Sequence, residues 1–168
     1  MLVPFSITGE YDRIAVVGCL EHVGYKNLDA FYTLLSKHLK PNGLAVVHSI
    51  TTGRSTPINT DIWIPKYIFP NGYLPSPKMM IEYSEGKLVV EDIQNIGVDY
   101  AETLLQWYKN YKKAEKAGLL GDKQNDIVFR RMWEYYLLYS RSGFKARKIH
   151  LYQVVYSKFS YDRYDAPR

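Results

Sequence analysis

The sequence is poor in the residues that mark several classes of protein. It has one cysteine, Cys19, among 168 residues, which excludes an internal disulfide framework and a cysteine metal cluster. No apolar run approaches the roughly 18 residues that cross a bilayer. The first residues, MLVPFSITGE, lack the basic region of a secretory signal, and internal repeats are missing. These absences favour a cytosolic or peripheral globular protein over a secreted or membrane-spanning one.

Composition favours a single domain with a basic surface. The hydrophobic content is 46%, and the length is near the common size of one domain. Lys and Arg number 22 against 17 Asp and Glu, a net charge of +5, and the stretches 109–116 and 130–148 are rich in cations. Such clusters suit anionic lipid, nucleic acid or a solvated helix face. Because no nucleic-acid-binding motif accompanies the charge, we favour lipid and expect no nucleic-acid partner.

Residues 13–52 predict a strand, a helix and a second strand. The apolar runs 14–17 and 44–47 are rich in β-branched residues, as in strands buried on both faces. Between them, helical spacing is shown by Leu28, Phe31, Leu35 and Leu39. The residues Pro41, Asn42 and Gly43 then predict the end of the helix. This order is typical of a right-handed crossover between parallel strands.

Polar side chains follow both predicted strands. Glu21 comes just after the first strand, and His48 ends the second. In an open α/β sheet, ligands bind at the edge formed by the carboxyl ends of the strands. Considered alone, His48 is expected to be a hydrogen-bonded histidine of the core. Cys19 is expected to be a small buried packing residue and not a nucleophile.

The segment 63–77 combines aromatic rings with proline and glycine, which excludes a long helix. Its rings are Trp63, Tyr67, Phe69 and Tyr73. Amphipathic rings suit the entrance to a pocket for an acyl chain. Together with nearby basic residues, they also predict that this segment associates with an anionic membrane. A loop pinned to the core by its aromatics is an equal alternative.

The remaining pattern predicts two helices between two strands. We expect a strand at 87–93, and a helix entered at Asp99 with Glu102 as its capping-box partner. A second helix is predicted from residues 124–126 to Gly143, followed by a closing strand at 149–157. Its apolar stripe is expected in the core or in the wall of an acyl pocket, and comprises Val128, Met132, Tyr135, Tyr136 and Tyr139.

Six blocks of sequence together resemble one family, the cyclopropane fatty-acyl-phospholipid synthases and their mycolic-acid relatives. They are DRIAVVGCLEHVG (12–24), LKPNGLAVVHSI (39–50), WIPKYIFPNGYLPS (63–76), GVDYAETLLQWY (97–108), FRRMWEYYL (129–137) and GFKARKIHLYQVVYSK (143–158). We assign residues 11–158 to the family-like region, residues 1–10 to a non-matching stub and residues 159–168 to a polar tail. Residues 1–168 are then one partial methyltransferase domain.

The resemblance implies an α/β fold, the carboxyl-terminal half of a class I Rossmann-like methyltransferase sheet with helical lipid-pocket insertions. Methyltransferases of this class hold S-adenosylmethionine mainly on a glycine-rich loop after the first strand. The only early candidate here, residues 6–10, lacks the necessary glycine pair. We therefore expect a truncated chain that binds S-adenosylmethionine weakly, is inactive alone, and works with a separate amino-terminal half.

The resemblance also implies the chemistry: methylene transfer from S-adenosylmethionine to a cis double bond of a phospholipid acyl chain, at the inner membrane surface of a bacterium. The family's general base is a bound bicarbonate. Motif by motif, its ligands map to Glu21, His48, the Ile50 amide and Tyr100, with a fifth contact from the missing half. His, Tyr and a backbone N–H are donors suited to fixing an anion.

Two observations limit that assignment. Many relatives carry a cysteine where this chain has Ser140, which weakens a covalent scheme more than a carbocation scheme. Tyr100 taken singly fits a packing residue at a helix start, and His22 is expected to be structural. The alternative function is an inactive remnant or a lipid-surface binding module that keeps the fold without the reaction.

Overall fold

The computed structural model describes residues 7–56 and 61–166. Its strands are β1 (Tyr11–Val17), β2 (Leu39–Thr52), β3 (Val89–Asn95) and β4 (Ile149–Ser157). Its α-helices are α1 (Leu28–His38), α2 (Trp63–Tyr67), α3 (Pro77–Glu82), α4 (Gly97–Lys116) and α5 (Ile127–Lys145). Of the predicted stub and polar tail, residues 1–6 and 167–168 lie outside the described ranges.

The strands form one sheet in the order β1-β2-β4-β3. β1 runs parallel to β2, with Ile14 opposite Ala45 and Val17 opposite His48. β3 runs antiparallel to β4. Both the predicted connection between parallel strands and the predicted closing strand at 149–157 are therefore confirmed.

The chain divides into two compact units. The sheet unit comprises the residues up to Asn95 and those from Leu151 onward, and the helical unit is Ile96–His150. Among residues 7–56 and 61–166, none of the helices has both the length and the apolar character of a membrane span.

The core of the sheet unit lies between α1 and the sheet. Leu28 and Leu35 of α1 are buried with Val47 of β2, as the helical spacing predicts. Tyr32, which the spacing does not include, is buried with them. The Tyr32 and Tyr156 hydroxyls lie 3.1 Å apart, and the Tyr156 hydroxyl donates to the Met80 carbonyl at 3.1 Å. These hydrogen bonds let two tyrosines occupy an apolar core without an unpaired hydroxyl.

The predicted helix stop lies inside β2 instead of in a loop. Backbone geometry becomes extended at Leu39, directly after α1, and the pairing of β1 with β2 shifts register between Tyr11 and Arg13. Gly43 is needed in this irregular stretch, because a Cβ there would lie 2.7 Å from the Leu39 side chain. The breaker residues thus lie in the strand that follows the helix, where its pairing with β1 shifts register.

Helix ends show one correct and two incorrect predictions. Asp126 caps α5, since its carboxylate accepts the Phe129 amide at 2.9 Å. The capping box at Asp99 is wrong: α4 begins at Gly97, which places Asp99 in the first turn. Gly143 does not end α5, which continues to Lys145.

Burial also departs from expectation at two places. Cys19 is exposed, so the predicted packing role is wrong. In the α5 stripe, Val128, Tyr135 and Tyr139 are exposed, whereas the buried residues of this helix are Leu137 and Phe144. Helical periodicity identified an apolar face, but the face that α5 buries is a different one.

The buried tyrosine pair predicts a measurable alkaline sensitivity. Burial raises the pKa of Tyr156 well above its ordinary value of 10.0. Above pH 10 the unfolded chain therefore loses a proton that the folded chain keeps, and stability falls as pH rises. Tyr156→Phe should cost about 1–2 kcal/mol at pH 8, because the Met80 carbonyl loses its donor, and should flatten the decline above pH 10. Urea unfolding at both pH values tests this. Tyr67→Phe, which alters an exposed ring, is the control. If the free energy of unfolding fell equally steeply with pH in the wild type and in Tyr156→Phe, the prediction would be wrong.

A second prediction concerns β1, which has one neighbouring strand in the described residues. Val17 is 62% exposed, and an unpaired apolar edge promotes self-association. We expect concentration-dependent oligomers in sedimentation velocity, reduced by Ala15→Lys on this strand and by co-expression with an amino-terminal half from a related synthase. Ile93→Lys on the opposite edge strand is the matched control. A monodisperse monomer of the unmodified chain would show that the edge is already protected.

Candidate active site

The first element of the site is the turn that leaves β1. Gly18 has a φ of +62°, a conformation that favours glycine, and its amide donates to the His48 carbonyl at 3.0 Å. This bond extends the pairing of β1 with β2 by one residue. The chain then enters a 3-10 turn, Leu20–His22, which carries Glu21.

Glu21 is buried, with 7% of its surface exposed, and two backbone amides hold it in place. Its Oε1 accepts the Ile50 amide at 2.6 Å, and its own carbonyl accepts the Tyr73 amide at 2.7 Å. A carboxylate in such surroundings needs hydrogen-bond donors to offset its lost hydration. The end of β2 and the aromatic segment therefore both position this one residue.

The aromatic segment packs on the turn that carries Glu21. Phe69 meets the ring of His22 edge-on, with centroids 5.8 Å apart, and Tyr73 meets Tyr25 at 5.9 Å. Tyr73 is buried, whereas Tyr67 and Phe69 are exposed. Tyr73 thus pins the segment to the core, as one of the two alternatives predicts, whereas the entrance to an acyl pocket stays a prediction.

Two buried polar atoms of the predicted site residues have no hydrogen-bond partner in the part of the chain that the structure describes. Glu21 Oε2 and His48 Nδ1 are both buried and have no hydrogen-bond partner among the described residues. A carboxylate oxygen accepts a proton, and an imidazole nitrogen donates or accepts one according to its tautomer. Such unpaired groups are costly unless a ligand or water completes them. The chemistry of the pair suits a small molecule with both a hydroxyl and an acceptor oxygen.

The predicted site residues divide between the two units. Glu21, His48 and Ile50 belong to the sheet unit, where Glu21 bonds Ile50 directly and His48 precedes it by two residues on β2. Tyr100 lies in the first turns of α4 in the helical unit, where its ring meets those of Trp107 and Phe144. Its convergence with the other three stays a prediction.

An open groove of about 590 Å³ lies next to this site in the sheet unit. Its walls combine rings and aliphatic carbon from Tyr25, Ile62, Pro65 and Tyr73 with the charged side chains of Asp61 and Lys66. The described residues contain no group of three or more His, Cys, Asp or Glu side chains that could hold a metal ion.

Sequence reasoning missed the support that the backbone gives to Glu21. The Tyr73 amide and the Ile50 amide are both donors to this residue, and a backbone donor has no signature in a pattern of side chains. The segment that supplies the Tyr73 amide was identified only through its rings and prolines.

Glu21 should be a stability determinant as well as a site residue. Glu21→Ala leaves the buried Ile50 amide without an acceptor and should lower the free energy of unfolding by about 2 kcal/mol. Glu21→Gln keeps an acceptor oxygen and should cost less. Urea unfolding measures both, with the exposed Glu82→Ala as the control. Equal stability of the Glu21→Ala variant and the wild type would refute the importance of this bond.

Comparisons with known proteins match this fold. A sequence profile of the family described as mycolic acid cyclopropane synthetase matches residues 5–154. The chain is 41% identical over 153 residues to the cyclopropane-fatty-acyl-phospholipid synthase of Escherichia coli K12, covering 91% of this chain and 39% of that protein. It is 33% identical to the tuberculostearic acid methyltransferase UfaA1 of Mycobacterium tuberculosis, covering 88% and 35%.

Solved structures agree. The mycolic acid cyclopropane synthase CmaA1, complexed with SAH and CTAB, superposes with a TM-score of 0.78 and 26% identity, over 91% of this chain and 57% of that one. The cyclopropane synthase MmaA2 from Mycobacterium tuberculosis gives a TM-score of 0.79 at 22% identity, over 90% and 57%, a likeness of fold. The chain spans about two fifths of the curated relatives' length. Because the family profile matches nearly the whole length of this chain, the chain belongs to the mycolic acid cyclopropane synthetase family.

Proposed function

We propose that this chain supplies the base-holding part of a cyclopropane fatty-acyl-phospholipid synthase. The enzyme would transfer a methylene group from S-adenosylmethionine to a cis double bond in a phospholipid acyl chain. The observation that carries the proposal is that Glu21, fixed at the end of β2 by the Ile50 amide, has one carboxylate oxygen without a partner among the described residues, and that a buried His48 nitrogen on β2 also lacks one. The family relation supplies the reaction class.

The reaction sets two requirements for this site. The alkene attacks the sulfonium methyl, so a carbon–carbon bond forms, the carbon–sulfur bond breaks, and positive charge develops on the acyl chain. The new methyl group must then lose a proton for the ring to close, which requires a base near the carbocation. A negative site protected from bulk water also stabilises the developing charge.

The residues present fit bicarbonate as that base. When bound, bicarbonate supplies a weakly basic oxygen that takes the proton. Glu21 Oε2 would accept the hydroxyl proton of the ion and so orient it, while protonated Nδ1 of His48 would donate to it. The Ile50 amide, which here donates to Glu21 Oε1, would be shared with the ion. From the family resemblance, Tyr100 is the fourth contact.

The acyl chain and the cofactor occupy other parts of the proposed enzyme. The groove that Tyr25 lines together with the aromatic segment offers an apolar wall and a cation, Lys66, as a phospholipid requires. Exposed Tyr67 and Phe69 extend that surface toward a membrane. We propose that the principal S-adenosylmethionine loop lies outside these 168 residues, because residues 6–10, the only early candidate, lack the glycine pair that such a loop needs.

The test is reconstitution with the amino-terminal half of a related synthase. The chain alone should show no tight S-adenosylmethionine binding by calorimetry and no cyclopropanation. The complex should convert monounsaturated phospholipid, detected by mass spectrometry of fatty acid methyl esters, and should lose activity in bicarbonate-depleted buffer. Glu21→Gln, His48→Gln and Tyr100→Phe should each lower kcat about 100-fold.

His22→Gln is the matched control, because this histidine lies beside Glu21 but packs on Phe69. It should retain most of the activity. An active complex in which His48→Gln and His22→Gln behave alike would refute the assigned base site. A correctly assembled complex that binds S-adenosylmethionine but forms no product would instead support the inactive lipid-binding module.

A further inference from the structure

The turn between α4 and α5 exposes a group of aliphatic side chains. Leu119 is 74% exposed, Ile127 56% and Val128 71%. The helices on either side run antiparallel, because Tyr108 bonds Glu134 whereas Tyr111, further along α4, bonds the earlier Arg130. The three aliphatic residues therefore lie at one end of a helical hairpin. We name residues 109–131 the hairpin tip.

Glycine conformations and side-chain hydrogen bonds fix the backbone of the hairpin tip. Gly118 and Gly121 have φ values of +71° and +59°, which favour glycine. The Gln124 side chain accepts the Leu120 amide at 3.2 Å and donates to the Glu115 carbonyl at 3.0 Å, closing the turn on the end of α4. Asp126 then caps α5. The backbone thus holds Leu119, Ile127 and Val128 in water, where clustered aliphatic surface is unfavourable without a partner.

Cations surround this aliphatic surface, and the nearby carboxylates are already paired. Glu115 forms ion pairs with Lys112 and Arg130, and Asp122 pairs with Lys123. Lys109, Lys113 and Lys116 recur at helical spacing and are exposed on α4, as is Arg131 on α5. None of these four makes an ion pair with another described residue. The free charge of the hairpin tip is therefore positive.

We infer that the hairpin tip docks on the surface of an anionic phospholipid bilayer. Leu119, Ile127 and Val128 would enter the interface between headgroups and acyl chains, while the four unpaired cations bind the headgroups. Aliphatic insertion combined with cationic attraction is the chemistry of peripheral membrane association. The inference rests on the proposed function in that its substrate is a membrane lipid.

The charge also decides against two other occupants. A second copy would bring like-charged lysine clusters together, which opposes association. Nucleic acid would be attracted by the cations but gains little from three aliphatic side chains, since its bases stack on aromatic rings. A protein partner with an acidic apolar groove stays an outcome of the test.

Co-sedimentation with vesicles tests the surface. The full chain should bind phosphatidylglycerol-containing vesicles, and added salt should weaken binding. Lys113→Glu with Lys116→Glu should lower the partition coefficient about twentyfold. The double variant Lys145→Glu and Lys148→Glu has the same charge change at the other end of α5 and should bind nearly as well as wild type. Leu119→Asp with Val128→Asp should lose about tenfold or more, whereas Val98→Asp, an exposed aliphatic at the other end of α4, should not.

A probe on the tip separates insertion from simple attraction. In a Cys19→Ser background, an environment-sensitive fluorophore on Leu119→Cys should shift to the blue with anionic vesicles, and the same label on Lys145→Cys should not. Equal shifts, or equal binding by the tip and control variants, would overturn the inference.

The outcomes are separable from those of the catalytic proposal. Tip variants in the reconstituted enzyme should keep turnover of detergent-dispersed phospholipid and lose turnover on vesicles. Lost vesicle binding in a complex without cyclopropanation would reject the proposed function alone. Cyclopropanation with unchanged vesicle binding by the tip variants would reject the docking surface alone.

Discussion

The hydrogen bond from the Ile50 amide to the Glu21 carboxylate is the contact on which the site depends. It joins the turn after β1 to the end of β2, and the Tyr73 amide adds the aromatic segment to the same residue. A buried carboxylate must have such donors, because its lost hydration would otherwise destabilise the fold. The bond uses one carboxylate oxygen and leaves the other without a partner among the described residues. In the proposed function, one atom of this side chain therefore serves stability and the other serves the reaction.

Parallel pairing of β1 and β2 makes that contact possible. The register that sets Val17 opposite His48 brings the turn carrying Glu21 to the end of β2, and the Gly18 amide continues the pairing to the His48 carbonyl. The register shift between β1 and β2 lies at the opposite end of these two strands, between Tyr11 and Arg13, where β2 begins irregularly. Within the β1–β2 pair, the irregularity therefore lies at the end away from Glu21.

Features set by side-chain pattern could be predicted from the sequence. The closing strand was expected at 149–157, which is where β4 lies, and Glu21 and His48 were expected at neighbouring strand ends. Features set by tertiary contacts could not. Asp99 has a capping residue type, yet α4 begins two residues earlier. Gly143 lies inside α5, where an added Cβ would come within 3.1 Å of the Ile149 side chain, so this glycine serves close packing and not a helix end. The backbone support of Glu21 has no signature in the residues that provide it.

The helical unit shows why an apolar pattern alone does not identify a partner. Tyr135 and Tyr139 stack on each other on the exposed face of α5, whereas the hairpin tip presents aliphatic carbon among lysines. Val128, Tyr135 and Tyr139 all belong to the apolar stripe that helical periodicity predicts for α5, yet all three are exposed. Phenol rings carry hydroxyls that can form hydrogen bonds at a protein interface. Exposed aliphatic side chains beside unpaired cations instead suit an anionic lipid bilayer, which is apolar inside and negatively charged at its surface. The chemistry that surrounds an exposed apolar group, more than its hydrophobicity, therefore indicates what covers it.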